Sequence, residues 1–284
     1  MPGLRSMTGF GRATAPLGKS VLVAEASSVN QRGLAVAVHA PPEWAAMEPD
    51  LTALARGMFQ RGKLTLRLSL ETPGGVPDLA EPLAELRRLA HAHGIPGEPD
   101  WEVLLRLSER QSRTAPPPDD IVRQASVACC KAALESLDAS RAREGEALAA
   151  DLARRLDVLG ELVSRMESSA AQGPARRRDR LLRRLAELGL ELDPSDERVL
   201  KELALHADRS DISEEITRLR SHLAQGRGLL GSAAPGRPLD FLTQELLREA
   251  NTVGSKASEI PTTQAVLEAK AEIERMREQV QNVE

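Results

Sequence analysis

The sequence predicts an α+β fold: a small N-terminal α+β unit of three to four strands and one helix, followed by a long-helix, predominantly α-helical domain. Three observations carry this. Leu64, Leu66, Leu68 and Leu70 alternate with Thr65, Arg67 and Ser69, the period of two that marks a half-buried strand. Leu148, Leu152, Leu159, Val163 and Met166 recur at three- and four-residue steps and their multiples, the mark of a long amphipathic helix. Thr72-Pro73-Gly74-Gly75-Val76-Pro77 separates the two regimes.

Each element follows from its local chemistry. Residues 4–39 carry β signals: Val21–Glu25 and Leu34–Val38 are short runs of β-formers and small apolar residues, bounded by Gly18 and by Pro41-Pro42. A helix over 43–60 is entered after the double proline, which fits the first turn of a helix. Beyond the boundary, segments 79–93 and 101–110 are helical in pattern, Pro116-Pro117-Pro118 breaks the chain, and helical pattern resumes over about 119–137. The 141–169 helix is interrupted by Gly173-Pro174, and with 175–188 it predicts a helical hairpin. Helices over 196–208 and 211–225 lead to a Gly/Pro-rich turn at 226–238, then helices over 239–256 and 263–283. In the last one, Val266, Ala269, Ile273, Met276, Val280 and Val283 form an a/d seam too short to act as a coiled coil alone. It predicts docking in the helical domain or against another subunit, with the C-terminus tied down. The resulting division is 1–72, a variable helical segment 73–140, and a C-terminal helical domain 141–284.

Composition excludes several classes. Aromatics make up 2% of the 284 residues and Tyr is absent, so the core rests on Leu, Val, Ile and Ala. Stacking platforms of the RNA-recognition or single-strand-binding kind are excluded by the same shortage. A net charge of −4 argues against a globally basic nucleic-acid binder and leaves room for a local patch. No apolar run is long enough to span a membrane. The N-terminus lacks a signal-peptide stretch, and the adjacent Cys129 and Cys130 predict buried thiols in a reducing cytoplasm. Gly9-Phe10-Gly11 is too short for a dinucleotide fingerprint.

Two helices carry candidate chemistry. In 210–223, Ile212, Ile216, Leu219 and Leu223 form an apolar stripe, and Asp211, Glu215, Arg218 and His222 form a polar one about a quarter-turn away. Two carboxylates, a guanidinium and an imidazole on the rim of an apolar face suit a divalent cation beside a phosphate. The alternative is structural: an Asp211/Glu214 capping box and a Glu215–Arg218 ion pair. In 239–256, Leu239, Leu242, Leu246, Ala250 and Val253 are apolar, beside Glu245, Glu249, Thr252 and Lys256. Glu245 and Glu249 repel at i,i+4 unless a metal or an Arg bridges them, or unless each pairs separately with Arg248 and Lys256. His206 is close enough to Asp208 and Asp211 in sequence to share their site. Arg176, Arg177, Arg178, Arg180, Arg183 and Arg184 against Asp179 give a local charge of +5, which either tracks a phosphate backbone or is a solvated face.

Ser6-Met7-Thr8-Gly9-Phe10-Gly11-Arg12, Ser28-Val29-Asn30-Gln31-Arg32 and Arg61-Gly62-Lys63 closely resemble the N-terminal motifs of the YicC/YloC family of bacterial proteins. The resemblance continues in Asp211–Glu215, Arg218-Leu219 and Ser221-His222-Leu223, and is strongest from Arg237 to Lys256. It includes the ending Arg277–Glu284 and spans nearly the whole chain. Gln31, Ala35 and Leu247 depart from the family's usual His, Asp and Asn.

The resemblance implies an endoribonuclease that uses a divalent cation, Mg²⁺ or Mn²⁺, and forms a ring-like homo-oligomer, a hexameric ring among the arrangements it allows. Set on the residues above, Asp211, Glu215, His222, Glu245 and Glu249 are the candidate metal ligands. Glu215, His222, Glu245, Glu249 and His206 are the candidate catalytic groups, and Arg32, Arg61, Lys63, Arg218, Arg248 and Lys256 would hold RNA. The substrate would be single-stranded or structured small RNA, held by backbone and 2′-OH contacts with little base preference. Two alternatives stand beside this: a metal-independent RNase using His206 or His222 as base, and a non-catalytic RNA-binding or adaptor oligomer.

Overall fold

A computed structural model describes residues 4–18, 20–71, 79–95, 100–104, 119–187, 197, 200–201, 204–205, 209–232 and 234–284, with backbone only at 81–82, 174, 177, 181 and 185–186. It divides into two compact units, one of Met7–Arg141 and one of Met1–Ser6 with Ala142–Glu284. Most of the predicted 101–110 and 196–208 helices lies outside the described residues.

The first unit contains β1 (Gly9–Leu17), β2 (Ser20–Val29), β3 (Leu34–His39), a 3-10 turn (Pro42–Met47), α1 (Glu48–Met58), β4 (Gly62–Glu71) and α2 (Ala80–His93). It also takes in the first part of α3 (Asp120–Glu187). The sheet order is β1-β2-β4-β3. β1 pairs antiparallel with β2, and β2 with β4, setting Leu22 opposite Leu70 and Ala26 opposite Leu66. β3 runs parallel to β4, with Leu34 opposite Gly62. A parallel pair needs a crossover, and the 3-10 turn with α1 supplies it. That topology brings motif segments together: Arg32 precedes β3 and Arg61 precedes β4, so Arg32, Arg61 and Lys63 gather at one end of the sheet.

Leu22, Ala24 and Ala26 of β2 and Leu64, Leu66 and Leu68 of β4 are buried with Trp44, Met47 and Leu51. Cys129, Cys130, Ala133, Leu134 and Leu137 of α3 complete this core. Both thiols are buried, and burial first, then the neighbouring Cys129, pushes Cys130 up to about 12. Gly11 is where α3 meets the sheet. A Cβ there would lie 2.2 Å from the Leu137 amide nitrogen and 2.3 Å from the Ala133 carbonyl oxygen. Only glycine admits backbone that close, so the Gly9-Phe10-Gly11 motif is a packing device.

The second unit is built on the rest of α3 with α4 (Ser213–Leu229), α5 (Gly236–Lys256) and α6 (Ile260–Val280). The apolar stripes read from the sequence all enter one core: Leu152, Leu159 and Met166 of α3, Ile212 at the N-cap of α4 with Ile216, Leu219 and Leu223 inside it, and Leu239, Leu242, Leu246 and Val253 of α5. The a/d seam of α6 is buried in the same core, which makes its role docking inside the unit. The chain ends are pinned together. Ser6 bridges Val283, the Glu284 amide donates to the Arg5 carbonyl at 2.9 Å, and Leu4 lies in the core. Gly145 accommodates that N-terminal segment, since a Cβ there would lie 1.9 Å from the Leu4 carbonyl oxygen.

Two expectations need correction. The predicted helices 119–137, 141–169 and 175–188 form one continuous helix, Asp120–Glu187, so the hairpin at Gly173-Pro174 does not exist. Proline inside a helix removes one hydrogen bond and crowds the preceding turn, which bends a helix more readily than it ends one with many turns on both sides. Tertiary contacts hold the far side: Arg180 lies 3.8 Å from Glu259, which follows α5. The Gly/Pro-rich turn is also shorter than 226–238, because α4 runs to Leu229 and α5 begins at Gly236.

Candidate active site

α4 and α5 pack against each other, and each flanks its buried stripe with a polar one. Their pairing is antiparallel: as residue numbers rise along α4, those of their partners fall along α5. The Lys256 ammonium donates to Glu215 Oε1 at 2.8 Å. One turn on, Arg218 Nη1 reaches Glu249 Oε1 at 3.4 Å and the same guanidinium bonds Glu214. One more turn brings His222 beside Glu245 and Glu249, whose possible ligand atoms all lie within 4.8 Å of one another. The result is a ladder of charged contacts across one helix interface.

The chemistry of each rung differs. Glu249 is buried, with 4% of its surface exposed, while His222 and Glu245 are half-buried. Two carboxylates and an imidazole converging at the edge of an apolar core suit a divalent cation. Ligand atoms about an octahedral ion of this kind lie about 3–4 Å apart, so small side-chain rotations close the observed spread, and the residues fit the group. Arg248 is 4.0 Å from Glu245 and adds a peripheral positive charge. Glu214, with Glu249 second, holds the Arg218 guanidinium firmly protonated. Glu215 is also buried, and its Oε2 has no hydrogen-bond partner among the described residues.

Asp211 acts locally. Its Oδ1 accepts from the Ser213 hydroxyl at 2.6 Å and the Ser213 amide at 2.9 Å. Those two bonds hold its carboxyl below the usual aspartate range, against a small burial effect, and Lys256 adds in the same direction. Ile212 occupies the N-cap of α4, so the Asp211/Glu214 capping box does not form and Glu214 turns to Arg218. Likewise Glu215 pairs with Lys256, and not with Arg218.

Of the candidate ligands, the fold therefore gathers His222, Glu245 and Glu249, and leaves Asp211 and Glu215 at the other end of the ladder. Arg218, Arg248 and Lys256 lie along it. Arg32, Arg61 and Lys63 belong to the first unit. His206 and Asp208 lie outside the described residues. Glu214 is read from the sequence only as half of a capping box; its i,i+4 spacing to Arg218 is the signal for the pair it makes. A cleft of about 820 Å³ was also missed. Ser213, Thr217 and Arg220 line it on the side of α4 turned away from His222, together with Lys256 and Glu259.

Residues 4–150 match the family model described as Endoribonuclease YicC-like, N-terminal region, and residues 166–284 match Endoribonuclease YicC-like, C-terminal. Among curated relatives, "Probable endoribonuclease YicC" of Haemophilus influenzae is 33% identical over 290 aligned residues, covering 98% of this chain and 99% of the relative. The protein of the same name from Clostridioides difficile is 30% identical over 300, with the same coverage of both chains. No helix among the described residues is long and apolar enough to cross a membrane.

Proposed function

Because this chain belongs to the YicC-like endoribonuclease family, we propose that it cleaves RNA internally at a divalent-cation site formed by His222, Glu245 and Glu249. The convergence of these three side chains beside Arg218 carries the proposal. Mg²⁺ or Mn²⁺ bound there would activate a water and offset charge building on the phosphate. Glu249 and Glu245 supply anionic ligands and His222 a neutral one. Arg218, held charged by two carboxylates, faces the phosphate's negative charge without being able to lose its proton. Arg248 and Lys256 extend the positive contacts, with Arg32, Arg61 and Lys63 as further backbone contacts from the first unit. The scarcity of aromatic side chains favours backbone and 2′-OH contacts, hence low base specificity. A net charge of −4 favours gathering the positive residues in a cleft of a homo-oligomer.

The test is cleavage of an end-labelled RNA by the purified protein with Mn²⁺ or Mg²⁺, with excess EDTA, and by Glu245→Gln. Cleavage should require the cation and fail in the variant; undiminished cleavage in EDTA sinks the metal mechanism. One observation favours a second reading. His222 sits among carboxylates that can orient its imidazole as a general base on the RNA 2′-OH. That route leaves 2′,3′-cyclic phosphate ends without metal, so product end groups separate the two.

A further inference from the structure

We propose that the C-terminal part of α3 is an RNA-backbone binding arm, separate from the His222–Glu245–Glu249 cluster; this rests on the reading of the chain as an RNA-cleaving protein. Because α3 continues through Gly173-Pro174, residues 176–184 form regular helix, and their phase can be read directly. At 100° per residue, Arg176, Arg180, Arg183 and Arg184 fall on one face, spread over about 100°. Along the axis, at 1.5 Å per residue, the steps from Arg176 to Arg180 and from Arg180 to the adjacent pair Arg183 and Arg184 are about 5–6 Å. That is comparable to the separation of successive phosphates on an extended strand. All four are exposed.

What distinguishes this stripe is that the fold does not neutralise it. Elsewhere in the second unit, several helix arginines are paired across helices: Arg155 with Glu272 at 2.6 Å, Arg165 with Glu268 at 2.7 Å, and Arg227 with Asp157 at 2.8 Å. In the stripe only Arg180 meets a carboxylate, Glu259 at 3.8 Å, and its side chain stays 62% exposed. Arg176 bonds the neutral Gln172 and Arg183 bonds the Asp179 backbone carbonyl. Arg176, Arg183 and Arg184 have no carboxylate partner among the described residues. Like charges at i,i+3 and i,i+4 work against the helix that carries them, so an external polyanion is the partner that relieves the cost. The cations around the candidate active site cannot take this role as fully. Arg218 is shared between Glu214 and Glu249, and Lys256 is bonded to Glu215. The stripe therefore adds to the affinity for a polyphosphate chain, and Arg218 and Lys256 are left to position one phosphate.

The test is binding of a fluorescent 20-nucleotide 2′-O-methyl oligoribonucleotide in EDTA, where neither metal- nor 2′-OH-dependent cleavage consumes the probe. Affinity is measured across a salt series for the full chain, for the triple variant Arg176→Gln/Arg183→Gln/Arg184→Gln and for the matching triple Arg→Lys variant. Losing three phosphate contacts should flatten the slope of log K against log salt by about 2 and weaken binding about 10–100-fold near 0.1 M salt. The Lys variant should bind like the unsubstituted chain, which excludes misfolding as the cause. An unchanged slope in the Gln variant overturns the proposal. So does selective loss of binding to poly-glutamate with RNA binding intact, which would assign the stripe to an acidic protein. RNA binding that depends on the stripe in a protein that cleaves nothing would leave the arm standing and refute the catalytic reading instead.

Discussion

Glu249→Gln separates the catalytic role of the ladder from its structural one. Glutamine keeps the volume of a side chain that is 4% exposed, so the core of α4 and α5 stays filled. The substitution loses the Arg218 contact at 3.4 Å, a pair whose arginine is 53% exposed and is still held by Glu214. Such a contact is worth about 1 kcal/mol at most. The substitution also relieves the Glu245–Glu249 repulsion at i,i+4, a few tenths of a kcal/mol in the opposite sense. The net change in stability should therefore be under about 1 kcal/mol, or within about 4 °C in Tm. The cation tells a different story. At a hundred times its Kd, a ligand that binds only the folded state adds about 2.7 kcal/mol, a rise of about 5–10 °C. Thermal unfolding followed by far-UV circular dichroism should show that rise with Mn²⁺ for the unsubstituted chain and lose it in Glu249→Gln, with RNA cleavage lost in parallel. An equal Mn²⁺-induced rise in the variant, or cleavage that survives, refutes the assignment of Glu249 as a ligand.

Three further outcomes follow from the same geometry. Lys256→Met leaves the buried Glu215 carboxylate without its only hydrogen-bonded partner among the described residues. With Lys256 about a third exposed, the cost is about 2–3 kcal/mol in urea unfolding, and adding Glu215→Leu should recover most of it. Gly145→Ala drives a methyl into the Leu4 carbonyl; it should cost about 1–3 kcal/mol and speed amide exchange at Glu284, whose bond to Arg5 depends on that docking. For Asp211 the folded-state pKa lies below the unfolded one. Its stabilisation is therefore fully present above the unfolded value of about 4 and is lost as pH falls through the folded value. Asp211→Asn should accordingly be less stable than the unsubstituted chain at neutral pH, by a margin that closes below about pH 4. A margin that stays constant down to pH 2 would contradict the Ser213 bonds.

How far the sequence reached depends on the range of the interaction that decides each feature. The alternation at Leu64–Leu70 and the stripes Ile212–Leu223 and Leu239–Val253 are local, and all of them are found turned into a core, Leu70 only partly. Gly173-Pro174 is misread because a local breaker signal competes with packing on both sides, and the partner that meets the far side, Glu259 against Arg180, lies far away in sequence. In the sequence Gly9-Phe10-Gly11 is only too short for a dinucleotide fingerprint; that the backbone of α3 passes over it is a long-range fact.

The sequence by itself determined which face of each helix is apolar, which residues ride beside it, that strands precede helices, and, through its motifs, the family. Periodicity fixes those properties because each residue's angle about its own axis depends only on its neighbours. The tertiary structure alone decided the partners. The antiparallel register of α4 and α5 sends Lys256 to Glu215, Arg218 to Glu249, and His222 to the pair Glu245 and Glu249. A different register would have left the same stripes with different rungs, and no helix carries its neighbour's register in its own periodicity. The crossover that sets β3 beside β4 works likewise, gathering Arg32, Arg61 and Lys63 from segments far apart in the chain. Charge type is written locally, but charge pairing is settled only when two elements bury their apolar faces against each other.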